Sequence, residues 1–353
     1  MKESFFKNKR VLITGHTGFK GSWLTLWLDQ LGADITGFSL NPPSNPYHYK
    51  FLELENKIAD VHGDIRKAED VAKAVRDYEP QMIFHLAAHP ILLSSYSDPV
   101  DTYMTNTIGS LNVLEAARKF GNVRSFVNVT TDKVYANIGK MDAYKEGEPL
   151  GSNDPYSSSK ACSELITQTY RQSFLSDTGV TTARAGNVMG GGDWGKYRVI
   201  PDLVQSYVHK KEIEIRHPDA IRPWTHVFDI LNGYLTLGEM AYERPKEYSG
   251  PWNFASGVVK TVEDLVKEFS NHWSIRYRIG KAKLHEDKLL LLNSDKSRKR
   301  LKWKPLLDFE TSVKMTVDWY AYFYNNTRDK KPISRYSLLQ LNNFRNNLRK
   351  NSA

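Results

Sequence analysis

Only one cysteine, Cys162, occurs in the 353-residue chain. An internal disulfide is therefore excluded, and a reducing compartment, the cytoplasm, is the expected setting. No stretch approaches the ~18–20 consecutive apolar residues of a membrane-spanning helix, so no membrane partner is expected. Met1 to Arg10 is charged and runs into a strand pattern, so no signal peptide is expected. Metal-ligand spacing is also missing. His85 and His89 bracket Ala87 and Ala88 without a carboxylate or thiol nearby, and no metal is expected. Low-complexity segments and internal repeats are absent too.

With 40% apolar residues, the chain can bury a large core. Its net charge of +9 is uneven. From Arg328 onward seven Lys and Arg stand against Asp329, so this stretch carries +6 of the total. A basic tail of this kind is expected to be solvated rather than to bind nucleic acid. Leu338, Leu339, Leu341, Phe344 and Leu348 predict that part of it docks as an amphipathic helix.

The first half alternates apolar strand patterns with helical ones. Strands are expected at 10–14, 34–40, 81–86, 124–130 and 180–185, and helices at 23–31, 71–78, 106–120 and 156–174. This order predicts an α/β fold, a doubly wound parallel sheet, with a smaller mixed α/β lobe. After Gly190 the alternation breaks at Gly190-Gly-Gly192, Pro201, Pro218 and Pro223. The expected division is a dinucleotide-binding domain over 1–187 with parts of 227–254, a substrate lobe over 188–226 and 255–327, and a basic tail over 328–353.

Thr14-Gly15-His16-Thr17-Gly18-Phe19-Lys20-Gly21 lies between the first strand and the first helix. Glycines there let a pyrophosphate approach backbone N–H groups at the positive end of the helix. Gly15, Thr17, Gly18, Phe19, Lys20 and Gly21 are thus the expected cofactor loop. A notable absence follows. The second strand ends Gly37-Phe38-Ser39-Leu40-Asn41, without the acid that usually holds the adenosine ribose. Ser39 or Asn41 can take that place, and no Lys or Arg precedes Lys50 to pair a 2′-phosphate, which favours NAD over NADP. Asp64 and Ile65 are expected to bracket the adenine.

Asp154-Pro155 reads as a helix start, and Tyr156 and Lys160 share one helix face a turn apart. A lysine there can lower the phenol's pKa and make it a usable base. Thr131, Asp132 and Lys133 end the preceding strand, where ligands of an open parallel sheet sit. Thr131, Asp132, Lys133, Tyr156 and Lys160 are the expected catalytic set. Burial and nearby cations should push Lys133 down, and enclosure should raise Asp132 and keep it a proton donor. Arg222 is the expected diphosphate ligand because a guanidinium pairs phosphate oxygens in a fork. Arg198, Asn187 and His89 are further substrate candidates.

The glycine loop, His85-Leu-Ala-Ala88, Asn106 with Gly109, Tyr156/Lys160 and Arg184-Ala-Gly-Asn187 together resemble the extended short-chain dehydrogenase/reductase family, from Lys9 to about Pro305. The resemblance implies that Leu86, Ala87, Ala88 and Asn106 also line the cofactor. Gly190-Gly-Gly-Asp-Trp194, Ile221-Arg-Pro-Trp-Thr-His226 and, above all, Asp132-Lys133 resemble the CDP-glucose type of nucleotide-sugar dehydratase, where related dehydratases carry Asp-Glu. It implies that Tyr156 deprotonates the sugar 4-hydroxyl with Thr131 on the same oxygen. Lys160 would hold the cofactor ribose, Lys133 would take the C5 proton and Asp132 would protonate the departing 6-hydroxyl. A nucleotide sugar is then the expected partner, and a homodimer or dimer of dimers, packed through the helices 106–120 and 156–174, the expected assembly. Epimerisation or reduction on the same scaffold is the rival reaction. A cofactor sensor that has lost its chemistry is the rival from another class.

Overall fold

The computed structural model describes residues 1–42, 44–280, 289–326 and 330–352. Residues 281–288 and 327 of the expected lobe, and Arg328 and Asp329 of the tail, lie outside them. Seven parallel strands form the central sheet: β1 (Arg10–Thr14), β2 (Asp34–Ser39), β3 (Ala59–His62), β4 (Met82–His85), β5 (Ser125–Val129), β6 (Gly179–Ala185) and β7 (Gly250–Phe254). Their order across the sheet is β7-β6-β5-β4-β1-β2-β3. β4, β5 and β6 are buried at every position, as strands covered on both faces require.

The chain runs outward from β1 in one direction and from β4 in the other. A crevice therefore opens between their carboxyl ends, the place where this architecture binds ligands. Helix α1 (Phe19–Gln30) follows β1 on one face. Helices α2 (Ala68–Tyr78) and α3 (Gly109–Phe120) cover the other, as does α4 (Pro155–Ser173). Asp154 caps α4 by accepting from the Ser157 N–H at 2.9 Å, with Pro155 in the first turn. The regular α3 starts later than the expected 106. Residues Met104–Ile108 form a wider π turn, and Asn106 in it is buried against the loop after β4.

The long apolar helix α6 (Val227–Glu243) packs on β5 and β6 beside α1. It was not among the helices expected from periodicity, because most of its residues are buried and no polar stripe marks it. Between β6 and α6, helix α5 (Val199–His209) and a short strand, Ile213–Ile215, build the lobe. That strand pairs with Tyr277–Ile279, while Ile221–Arg222 pairs with Lys260–Thr261 ahead of α7 (Val262–Ser270). Helix α8 (Phe309–Asn325) and the basic α9 (Lys330–Ser352) close the molecule.

The tail helix is anchored. Ile333, Leu341 and Phe344 are buried, Phe344 against Trp27 and Phe228, and the Arg345 Nε donates to Glu3 at 3.0 Å. Leu338 and Leu348 are partly buried on the same core, whereas Leu339 is 53% exposed on the opposite face. No helix among the described residues is long and apolar enough to cross a membrane.

Candidate active site

The glycine loop turns between β1 and α1. Gly15 has φ +75°, and a Cβ on it would lie 2.7 Å from the Ala87 backbone nitrogen. A Cβ on Gly21 would lie 2.1 Å from the Gly15 carbonyl oxygen. Only hydrogen at these positions lets the loop after β4 close on the loop after β1 and leaves the α1 N-terminus open to an anion. At the end of β2, where an acid was missing, the Ser39 and Thr17 hydroxyls lie 3.0 Å apart. This neutral pair, the glycine cradle and the open helix end fit a dinucleotide.

The walls of this crevice are fixed by their own polar groups. The His85 ring bridges Thr14 Oγ1 at 2.7 Å and Ser110 Oγ at 3.0 Å, and burial pushes it down to about 3, so it stays neutral. Asn106 accepts from the His89 N–H at 2.8 Å and donates to the His89 carbonyl and to Ser159 Oγ at 2.9 Å. It thereby ties the loop after β4 to α4.

A cleft of about 650 Å³ opens between the sheet's carboxyl edge and the lobe, and Thr131, Asp132, Lys133 and Tyr156 line it together. The Thr131 hydroxyl donates to Asp132 Oδ1 at 2.9 Å and lies close enough to the Tyr156 phenol to lower its pKa. Asp132 is 3% exposed. Burial raises its carboxyl, against the opposing charges of Lys133 and Arg222 and the Thr131 bond. Burial pushes the Tyr156 phenol up to about 12, while Thr131 and the Arg198 charge pull the other way. Lys160 is buried one turn along α4 and donates to the Val129 carbonyl at 2.9 Å. Burial, with the Lys20 charge, pushes it down to about 7.

The model of the NAD dependent epimerase/dehydratase family matches residues 11–249. The chain belongs to this family. A CDP-glucose 4,6-dehydratase from Salmonella typhimurium is 37% identical over 330 residues, covering 90% of this chain and 92% of that protein. An epimerase structure from Methanothermobacter thermautotrophicus superposes with a TM-score of 0.81 at 29% identity, covering 93% of this chain and 97% of that one. A dTDP-glucose 4,6-dehydratase structure from Streptomyces venezuelae, with NAD and TYD bound, has a TM-score of 0.79 at 24% identity, over 92% and 99% of the two chains. That last likeness shows the fold alone. The cofactor of this epimerase/dehydratase is NAD.

Against this family frame, the expected residues fall into two groups. Gly15, Gly18 and Gly21 form the turn, with Ala87 against Gly15 and with Leu86 and Ala88 beside it in the loop after β4. Asp64 is committed to Arg66, which holds its carboxyl below the usual range, and Ile65 packs against Gly109. Lys20 and Phe19 differ from the rest of the loop: they line the cleft that holds Thr131 and Tyr156. The Lys20 ammonium lies 6.0 Å from the centre of the Tyr234 ring, and burial pushes it down to about 8. Arg198, Asn187 and Arg222 line the same cleft, with Arg198 held by Asp193 at 2.9 Å.

His89 does not line it. Its ring is bonded to Thr102 at 2.7 Å and to Ser94 at 3.2 Å, so its backbone and side chain brace the loop. Trp194 packs against Trp319 and Phe323, as a core residue. Thr131 and Arg198 both act to lower the Tyr156 pKa. Sequence reasoning missed Asp193 as the clamp on Arg198 and Tyr234 beneath Lys20. Asp193 sat inside the Gly190-Gly-Gly-Asp-Trp194 stretch, whereas Tyr234 lies in an apolar helix with no signal of its own.

Proposed function

We propose that this chain converts CDP-glucose to CDP-4-keto-6-deoxyglucose, a 4,6-dehydration with NAD as resident cofactor. The observation that carries the reading is the gathering of Tyr156, Thr131, Asp132 and Lys133 in one cleft, with Thr131 bonded to Asp132. An epimerase needs the phenol but has no use for an acid and an amine next to it. Similarity to the Salmonella CDP-glucose 4,6-dehydratase supports the same reading.

Gly15, Gly18 and Gly21 would cradle the pyrophosphate, Thr17 and Ser39 the adenosine ribose, and Lys160 the nicotinamide ribose. The chemistry supplied by bound NAD is reversible hydride uptake, from C4 at the start and to C6 at the end. Tyr156 removes the proton of the 4-hydroxyl. Its phenol is held neutral by burial, so the base form depends on positive charge nearby, from Arg198 and from the oxidised ring. Thr131 fixes the same oxygen. Lys133 accepts the C5 proton once the ketone has acidified it. Asp132, whose carboxyl is raised by burial, gives its proton to the 6-oxygen as water leaves. Arg198 and Arg222 pair the diphosphate.

A homodimer packed through α3 and α4 belongs to this reading. Val100, Tyr103, Met104 and Leu165 leave apolar surface exposed on that side. The lone cysteine fits a cytoplasmic setting. The test is incubation with NAD and a panel of nucleotide-glucose donors, followed by product mass. Loss of one water from CDP-glucose supports dehydration. Turnover without mass change points to epimerisation.

A further inference from the structure

The cleft continues past the reacting groups into the lobe, where two charged side chains face it from different elements. Arg198 caps the start of α5 and Asp202 lies in its first turn, and both line the cleft. Arg198 marks the inner end of this stretch, since Asp193 holds it and its charge acts on Tyr156. Asp202 lies about 6 Å further along the helix axis. Arg216 directly follows the lobe strand Ile213–Ile215 and lines the same cleft.

Asp202 and Arg216 act on each other through space. Yet among the described residues neither side chain has a hydrogen bond or ion pair. Burial raises the Asp202 carboxyl, with only Arg216 opposing. Glu214, the other acid at this end, is already paired with Arg278 at 2.9 Å. Ile215 and Ala220 supply a buried apolar floor. An acceptor and a donor stand a gap apart beside apolar surface. A flat heterocycle with a donor at one end of its edge and an acceptor at the other fits that gap.

We propose that Asp202 and Arg216 read the base of the nucleotide sugar, Asp202 accepting from the exocyclic 4-amine of cytosine and Arg216 donating to O2. This inference rests on the dehydratase reading for the identity of the ligand. Carboxylates pair with the cytosine amine, whereas uracil and thymine present an oxygen at the same position. With the diphosphate held by Arg198 and Arg222, that oxygen would face a carboxylate. Selectivity for CDP over UDP and dTDP then comes from one side chain on a rigid helix. Arg216 contributes to all pyrimidines alike, because each has O2.

The test is calorimetric titration of the NAD-loaded protein with free CDP, UDP and dTDP, which needs no turnover. The wild type is expected to prefer CDP roughly 10- to 150-fold, the range for a hydrogen bond to a charged group. In Asp202→Asn that preference collapses, because an amide can present either its oxygen or its nitrogen to the base. In Arg216→Met, CDP and UDP weaken together and their ratio stays. Should Asp202→Asn not fold, the wild type is titrated with the diphosphate of the pyrimidin-2-one riboside, which lacks the 4-amine. That analogue is expected to bind as weakly as UDP or nearly so. An unchanged CDP-to-UDP ratio in a folded Asp202→Asn variant, or an analogue that binds as well as CDP, overturns the proposal. If CDP-glucose loses water but the ratio is unmoved, only the base subsite fails. If Asp202 governs the ratio but no donor loses water, only the dehydratase reading fails.

Discussion

The two sides of the crevice are built on opposite principles. On the side of the glycine loop, backbone N–H groups are left open and the side chains are spent on one another. His85 is bonded to Thr14 and Ser110, and Asn106 uses its amide on His89 and Ser159. On the substrate side, charged side chains from separate elements point into a cleft: Lys20, Asp132, Lys133, Arg198, Asp202, Arg216 and Arg222. A site that recognises a pyrophosphate common to all dinucleotides can be made of N–H groups and glycine. A site that must move protons and select a sugar nucleotide needs groups whose charge is tunable.

Substitutions can break this contrast at different strengths. Tyr156→Phe is expected to lower turnover by roughly 10²- to 10⁴-fold while NAD binding is kept. Single-turnover nicotinamide reduction and cofactor titration check both halves. A variant that still reduces the nicotinamide at the wild-type rate would remove Tyr156 from its role. Lys133→Ala should allow C4 oxidation and slow water loss by a similar factor of roughly 10²- to 10⁴-fold. Product mass under single-turnover conditions separates the two steps, and wild-type dehydration would remove Lys133 from the mechanism.

Gly15→Ala tests the other side. The added methyl meets the Ala87 backbone, and φ +75° is strained for any side chain. A loss of about 1–3 kcal/mol in stability, with weakened NAD binding, is expected from denaturant melts and titration. An alanine variant with native cofactor affinity would show that the loops need not touch. The smallest effect concerns Lys160. Its folded pKa of about 7 lies below its ordinary 10.5, so below pH 7 the buried amine is charged in both states and carries the full burial cost. Between pH 7 and 10.5 the unfolded chain binds more protons, so the wild type gains stability as pH rises. Lys160→Met, without cofactor, should therefore exceed the wild type most at pH 7 and by less at pH 9. A gap that stays constant would mean that the folded amine keeps its proton throughout, with a pKa near its ordinary value.

The same contrast explains what could be read in the chain. The glycine loop, the Tyr156/Lys160 pair and Thr131-Asp132-Lys133 are contiguous stretches whose spacing is itself the geometry. The start of α4 was legible for the same reason, because Asp154 and Pro155 cap it locally. Lys20 was expected at the cofactor by its place in the loop, and its long side chain at the start of a helix also lines the neighbouring cleft. His89 was expected at the substrate, and its ring is bonded to Thr102. Asp202 and Arg216 meet only because α5 and the strand at 213–215 pack in one lobe, and neither position carries a pattern in the sequence. Helix α6 escaped notice because burial on nearly all sides erased its periodicity.

The central claim is that one bound NAD takes a hydride from C4 and returns it to C6 of the same sugar, between the phenol of Tyr156 and the Asp132–Lys133 pair. Turnover of CDP-glucose deuterated at C4 tests it directly. The product is expected to have lost one water and to carry the deuterium at C6. Deuterium retained at C4, or a product of unchanged mass, would contradict the account.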